Sequence, residues 1–139
     1  MLTIDSSNYF LSEVAQCADL CMKPWKHSVL LSTGSKEADL SQGNFSELIL
    51  LIESRDANGE RYKEKDLDLE IFRSGSELNI TLSWHCFPLK PILWQGKHSL
   101  WMDANTGKRS SIPKDGEQLE ALARRIRSRF SSLISSLPK

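Results

Sequence analysis

Asp66-Leu67-Asp68-Leu69-Glu70-Ile71-Phe72-Arg73, then Ser74-Gly75-Ser76, then Glu77-Leu78-Asn79-Ile80-Thr81-Leu82-Ser83-Trp84 is the stretch on which the fold turns. Apolar residues occupy every second position on both sides of Ser74-Gly75-Ser76. A period of two sends alternate side chains to opposite faces of a pleated strand. Leu67, Leu69, Ile71, Leu78, Ile80, Leu82 and Trp84 are therefore expected on the buried face of a hairpin, with Asp68, Glu70, Asn79, Thr81 and Ser83 facing out. The Ser-Gly-Ser triplet supplies a residue that tolerates positive φ at the turn.

Beyond Trp84, His85-Cys86-Phe87-Pro88-Leu89-Lys90-Pro91 carries two prolines and reads as a stiff connector. Ile92-Leu93-Trp94 is a short apolar segment, and Gln95-Gly96-Lys97 reads as a turn. A third strand is expected over His98–Asp103, with Leu100 and Met102 on one face and Ser99, Trp101 and Asp103 on the other. On that parity Trp101 is expected to be exposed. Ala104-Asn105-Thr106-Gly107 is a turn signal, after which Lys108–Ile112 could return as an edge strand.

The last segment carries the clearest helical pattern. Leu119, Leu122, Ala123, Ile126, Phe130, Leu133, Ile134 and Leu137 recur at steps of three and four, with Asp115 as the expected cap and Pro138 as the stop. Acidic Asp115, Glu117 and Glu120 precede basic Arg124, Arg125, Arg127 and Arg129, an order that suits the helix dipole.

Working upstream, Asn44–Ser54 is ambiguous. Asn44 with Glu47 resembles a capping pair, and Phe45, Leu48, Ile49, Leu51 and Ile52 form a helical stripe; the continuous run Leu48–Ile52 would suit a buried strand as well. The cap and the length favour a helix. Trp25–Thr33 fits a strand, bounded by Pro24 and Gly34. A first helix is expected from Ser6 or Ser7 to about Met22, with Phe10, Leu11, Val14, Cys17, Ala18 and Cys21 on one face. Glu60–Lys65 alternates charge and reads as a solvated connection. The sum is an α+β domain spanning residues 1–139, with an antiparallel sheet of four or five strands and helices packed on one face in two layers.

Net charge is zero over 139 residues but is unevenly spread. Residues 1–85 hold 8 basic and 14 acidic side chains, a balance of −6; residues 86–139 hold 10 and 4, a balance of +6. Such asymmetry marks an acidic-partner or nucleic-acid surface, or two halves that neutralise each other on folding. No apolar run approaches the ~20 residues of a membrane span. The opening Met1-Leu2-Thr3-Ile4-Asp5-Ser6 shows no basic cluster followed by an apolar core, so a cytoplasmic protein with reduced Cys17, Cys21 and Cys86 is expected.

Three constellations could carry chemistry. Cys17 and Cys21 lie one helical turn apart; a zinc site needs about four ligands, so two small core residues are the expectation, with no metal and no cofactor. Cys86 and His98 could form a thiolate–imidazolium pair if their strand ends adjoin, but no oxyanion element or Gly-rich elbow accompanies them. Trp94, Lys97, His98, Trp101, Lys108 and Arg109 interleave aromatic and cationic side chains. That mixture suits a protein-binding hot spot or the stacking and charge pairing of single-stranded nucleic acid.

Ile92-Leu93-Trp94-Gln95-Gly96-Lys97-His98-Ser99-Leu100-Trp101-Met102-Asp103, followed by a turn and by Leu119-Glu120-Ala121-Leu122-Ala123-Arg124-Arg125, resembles a stretch of small uncharacterised α+β proteins of cyanobacteria. The resemblance covers about the last third of the chain and implies a fold class, not an activity. The leading expectation is a non-enzymatic binding or assembly module that presents an aromatic and basic sheet face to a protein partner. Single-stranded nucleic-acid binding by the basic C-terminal half is the alternative, and an enzyme using Cys86 and His98 comes third.

Overall fold

The computed structural model describes residues 6–32, 47–74 and 77–136. Helix α1 (Ser6–Cys21) is followed by strands β1 (Lys26–Leu31), β2 (Glu47–Arg55), β3 (Leu67–Ser74), β4 (Glu77–Trp84), β5 (Ile92–Gln95) and β6 (Ser99–Met102), and by helix α2 (Gly116–Ser136). The strands form one sheet in the order β1-β2-β3-β4-β5-β6, each antiparallel to its neighbour in sequence. Both helices pack on the same face, giving the expected two-layer α+β arrangement.

The sheet has six strands because two segments contribute more than their patterns announced. Asn44–Ser54 was expected as a helix; from Glu47 onward it is β2, and residues 44–46 lie outside the described residues. Leu48, Leu50 and Ile52 are buried, whereas Ile49 and Leu51 are half-buried on the far side. A strand with apolar side chains on both faces loses its period of two, and the eye then finds a helical stripe. Ile92-Leu93-Trp94 became β5 and joins the ladder through Leu82↔Leu93 and Thr81↔Trp94. The expected edge strand over Lys108–Ile112 reduces to one bridge, Met102↔Arg109.

The central hairpin formed as its alternation required. Leu67, Leu69, Ile71, Leu78, Ile80, Leu82 and Trp84 are all buried. From α2 they meet Leu119, Leu122, Ala123, Ile126 and Phe130, and from α1 Phe10, Val14, Cys17 and Ala18. The side chains of Leu133 and Ile134, and all of Leu137, lie outside the described residues. Full burial of a Leu or Ile contributes roughly 1.5–3 kcal/mol, so α2 is held by its apolar stripe. Asp115 does not adopt the extended backbone of a cap: its φ is +66°, in the left-handed region.

Trp101 corrects the face assigned to the last strand. It is buried, only 4 % exposed, and belongs to the core with Leu93, its cross-strand partner. Its ring stacks on Trp84 with centroids 6.0 Å apart, and its Nε1–H donates to Glu120 Oε2 at 2.7 Å. Leu100 and Met102 take the open face instead. Alternation separates two faces but does not say which one the helices cover; the register with Leu93 and Leu82 decides it.

Candidate functional site

The open face of the sheet carries the candidate site at its β5–β6 end. Trp94, Gly96, Lys97, His98, Leu100 and Arg109 line a depression of about 530 Å3, with Glu77 and Asn79 on its β4 side. Of the six side chains expected to act together, four therefore converge: Trp94, Lys97, His98 and Arg109. Trp101 lies on the opposite face, in the core. Lys108 is exposed in the preceding turn and does not line the depression.

Local structure explains the convergence. Trp94 and Ile92 alternate on the outer side of β5 and pair with Leu100 and Met102 of β6, so four apolar side chains share one half-buried patch. The turn between the strands closes with a bond from Gly96 N–H to His98 O at 3.3 Å, and it projects Lys97 and His98 into solvent. A Cβ at Gly96 would stand 3.2 Å from Trp94 Cη2 and 3.0 Å from Asn79 Oδ1. Glycine there lets the indole lie down against the backbone.

Arg109 reaches the same depression from the far side. Asp103 Oδ1 accepts the N–H groups of Asn105 and Thr106 at 2.8 and 2.9 Å, and Gly107 turns the chain at φ +71°. Those two N–H bonds hold the Asp103 carboxyl below its ordinary value. Asp103 N–H to Lys108 O and Ser110 N–H to Trp101 O, both 2.8 Å, then lay the returning chain along β6.

The depression is cationic and continues onto the helix side. Among the described residues Lys97 and Arg109 form no ion pair, whereas Glu77 is met by Arg127 Nη2 at 3.7 Å. Past Gly96 and Lys97 the surface dips again beside Arg124, Arg127 and Ser128, and then beside Arg125, Arg129 and Cys21. The α2 arginines have long carboxylate contacts at best: Arg124 to Glu120 at 3.7 Å and Arg129 to Glu13 at 3.5 Å. Six basic side chains of the C-terminal half, Lys97, Arg109, Arg124, Arg125, Arg127 and Arg129, thus form a basic band along adjoining depressions. The acidic half shows on the same sheet face as Glu47, Glu53, Asp68 and Glu70 of β2 and β3.

The thiol constellations do not assemble. Cys86 follows β4 and donates from Sγ to Lys63 O at 3.2 Å, whereas His98 lies beside Glu77 and Asn79 at the start of β4. The two are separated by about the length of a strand, roughly 20 Å. Neighbouring His85 directs Nδ1 to Asp68 Oδ1 at 2.8 Å, away from any thiol partnership. Cys17 is buried, and that burial pushes its thiol above the ordinary value, as befits a core residue. Among the described residues no three His, Cys, Asp or Glu side chains gather as metal ligands, and no helix is long and apolar enough to cross a membrane.

One polar cluster was missed in the sequence. Asp66, 2 % exposed, takes both Arg61 guanidinium nitrogens at 2.8 Å and the Ser54 N–H at 2.8 Å. Arg61 Nη1 also donates to Ser54 O at 2.9 Å, and Nη2 meets Glu53 Oε2 at 3.3 Å. Burial raises the Asp66 carboxyl, but the Arg61 bonds, the Ser54 N–H and the nearby positive charge outweigh it and hold it below its ordinary value. Within the connection expected to be solvated, Glu60, Lys63 and Glu64 are exposed, whereas Arg61 is stapled to β2. Its partners are all supplied within the fold, so it braces the sheet and leaves no free group for chemistry.

A family model described as "Domain of unknown function (DUF8659)" matches residues 11–129. That span contains all six strands and most of both helices. No curated protein and no solved structure matches the chain. The chain belongs to the DUF8659 family.

Proposed function

We propose that this member of the family works as a non-enzymatic binding or assembly module that docks a protein partner on the open sheet face at Trp94. The observation that carries the reading is the composition of the patch. An aromatic ring and three apolar side chains, Ile92, Leu100 and Met102, sit half-buried at its centre, and Lys97, His98 and Arg109 rim it. A desolvated aromatic centre inside a polar rim is how hot spots are built. The acidic side chains of β2 and β3 across the same face favour a protein over a polyanion lying along the sheet.

The test is affinity capture from a native extract, comparing the wild type with Trp94→Ala. Truncating a hot-spot tryptophan is expected to cost at least about 10-fold in partner recovery, with the fold retained because the side chain lies outside the core cluster. Equal recovery by the two proteins overturns the reading.

A second reading has its own observation, the arginines of α2 that extend the basic band from Lys97. It expects a labelled single-stranded oligonucleotide to bind with an affinity that falls linearly in log salt, at about 0.7 per phosphate neutralised. Charge reversal at Arg124 and Arg125 would then flatten the slope. Absence of binding at low salt removes this reading.

A further inference from the structure

On the helix side of the molecule, away from Trp94, Arg124, Arg125, Ser128 and Arg129 of α2 surround a hollow of about 590 Å3 whose remaining walls are Ala121 and Cys21. The small side chains of Ala121 and Cys21 leave the space open. Positions 121, 124, 125 and 128 recur at steps of three and four, so they share one side of α2, and Arg129 stands a turn beyond Arg125. From Arg124 to Arg129 the helix rises only about 7.5 Å. Three guanidinium groups are thus crowded around one small space.

That crowding is not neutralised within the fold. Among the described residues no carboxylate lines the hollow, and Arg125 forms no ion pair. The contacts of Arg124 with Glu120 and of Arg129 with Glu13 are 3.7 and 3.5 Å long. Charge-assisted bonds close to about 2.7–2.9 Å, as those of Arg61 with Asp66 do at 2.8 Å. Like charges one turn apart oppose the helix that carries them, so Arg125 and Arg129 are held together against their repulsion. Their potential reaches into α1: the Cys17 thiol, raised mainly by burial, is drawn the other way by Arg129 and Arg125. The carboxyl end of α1 at Cys21 attracts cations as well. None of the three arginines donates to an α1 carbonyl among the described residues, however.

We propose that this hollow binds the terminal phosphate of a small molecule, a phosphomonoester or a diphosphate. A terminal phosphate brings about 1.5 to 2 negative charges and three strong acceptor oxygens. Three guanidinium forks and the Ser128 hydroxyl, which has no partner among the described residues, can meet such a tetrahedral group from several sides. A planar carboxylate is served by a single fork, as Asp66 is by Arg61. The volume falls within the roughly 300–1,000 Å3 of small-ligand sites, which leaves room for the group that carries the phosphate. No aromatic side chain lines the hollow among the described residues, so the phosphate itself supplies the recognition. The inference is independent of docking at Trp94, and it narrows the reading of the basic band from a nucleic-acid strand to a compact anion.

Isothermal titration calorimetry of the full chain with pyrophosphate, from about 10 μM to 10 mM at fixed ionic strength, tests it. Wild type is expected to bind saturably. Arg125→Gln, at an exposed position, is expected to weaken binding at least about 10-fold. Ala121→Glu places a carboxylate three and four residues before Arg124 and Arg125, pairings that support a helix. It is expected to abolish binding with the melting temperature kept or raised. Lys97→Gln, in the depression at β5–β6, is expected to bind as wild type does. Titration without saturation overturns the proposal, as does an affinity indifferent to Arg125→Gln and Ala121→Glu, or one reduced as much by Lys97→Gln. Sulfate bound as tightly as pyrophosphate removes the assignment to phosphate. An oligothymidylate without terminal phosphates that displaces pyrophosphate at equal phosphate concentration gives the arginines to a nucleic-acid backbone; the proposal then falls and the salt-dependent reading stands.

Discussion

Trp101→Ala is expected to lower the stability of this protein by about 3–5 kcal/mol, measured by urea denaturation. The ring is buried against Trp84, its N–H holds Glu120, and Gly116 is seated on it. A Cβ at Gly116 would approach Trp101 Cζ2 to 2.9 Å and Ile112 Cγ1 to 2.7 Å, so the first residue of α2 is packed onto the indole. Removing the ring leaves a cavity at the point where the helix begins and strips the Glu120 carboxylate of its N–H donor. Trp101→Phe separates the two effects. It keeps most of the volume and loses the hydrogen bond, at about 0.5–1.5 kcal/mol. A solvent-facing tryptophan would cost little more than about 0.5 kcal/mol on truncation, so a small effect in the alanine variant would contradict the buried placement. Out of a total of about 5–15 kcal/mol, the expected loss brings the fold close to failure.

Asp66→Ala is expected to cost about 3–5 kcal/mol, because it leaves the Ser54 N–H without its acceptor and takes from Arg61 its bidentate carboxylate, leaving only Ser54 O and Glu53. The lower end applies, since the guanidinium keeps some access to water. The charge also gives a pH signature. The Asp66 carboxyl is depressed in the folded chain, so its contribution is fully present above the unfolded value near 3.9 and is lost as pH falls through the folded value. Glu70 runs the other way: its raised carboxyl favours the folded state at low pH and loses that contribution as pH climbs through its folded value. The comparison that isolates Asp66 is therefore thermal melting of wild type and Asp66→Asn from neutral pH into the acid range. The gap between their melting temperatures is expected to close below about pH 4. A gap that stays constant would mean that the Arg61–Asp66 pair contributes no charge-dependent stability.

The β3–β4 hairpin was legible because one face is greasy and the other polar, so each residue announces its side. β2 was not, because Ile49 and Leu51 put apolar side chains on the open face opposite Leu48, Leu50 and Ile52. Trp101 failed for a related reason: β6 is apolar on both sides, and only pairing with Leu93 orients it. The convergence of Trp94, Lys97, His98 and Arg109 could be read because it is local, made by two short strands and two tight turns. The Arg61–Asp66 staple could not, since the acid enters the strand beside Leu67 and is buried with it; partners on β2 make that burial tolerable. The proposed Cys86–His98 pair foundered on strand direction. In an antiparallel run, residues just past the end of one strand and just before the start of the strand after next share an end only if an even number of strand lengths separates them.

Every strand pairs with the one that follows it, from β1 to β6, so the ladder can be laid down one neighbouring strand at a time, without crossovers. The packing of α1 against α2 is different, since it joins the two extremities of the chain. Closing a loop of that length carries the largest entropic cost and is repaid only once both helices can settle on finished strands. The folding barrier should accordingly respond to changes in the β3–β4 hairpin. Substitutions at the helix–helix contact of Phe10 and Phe130, whose rings lie 5.0 Å apart, should speed unfolding and leave the rate of folding nearly untouched.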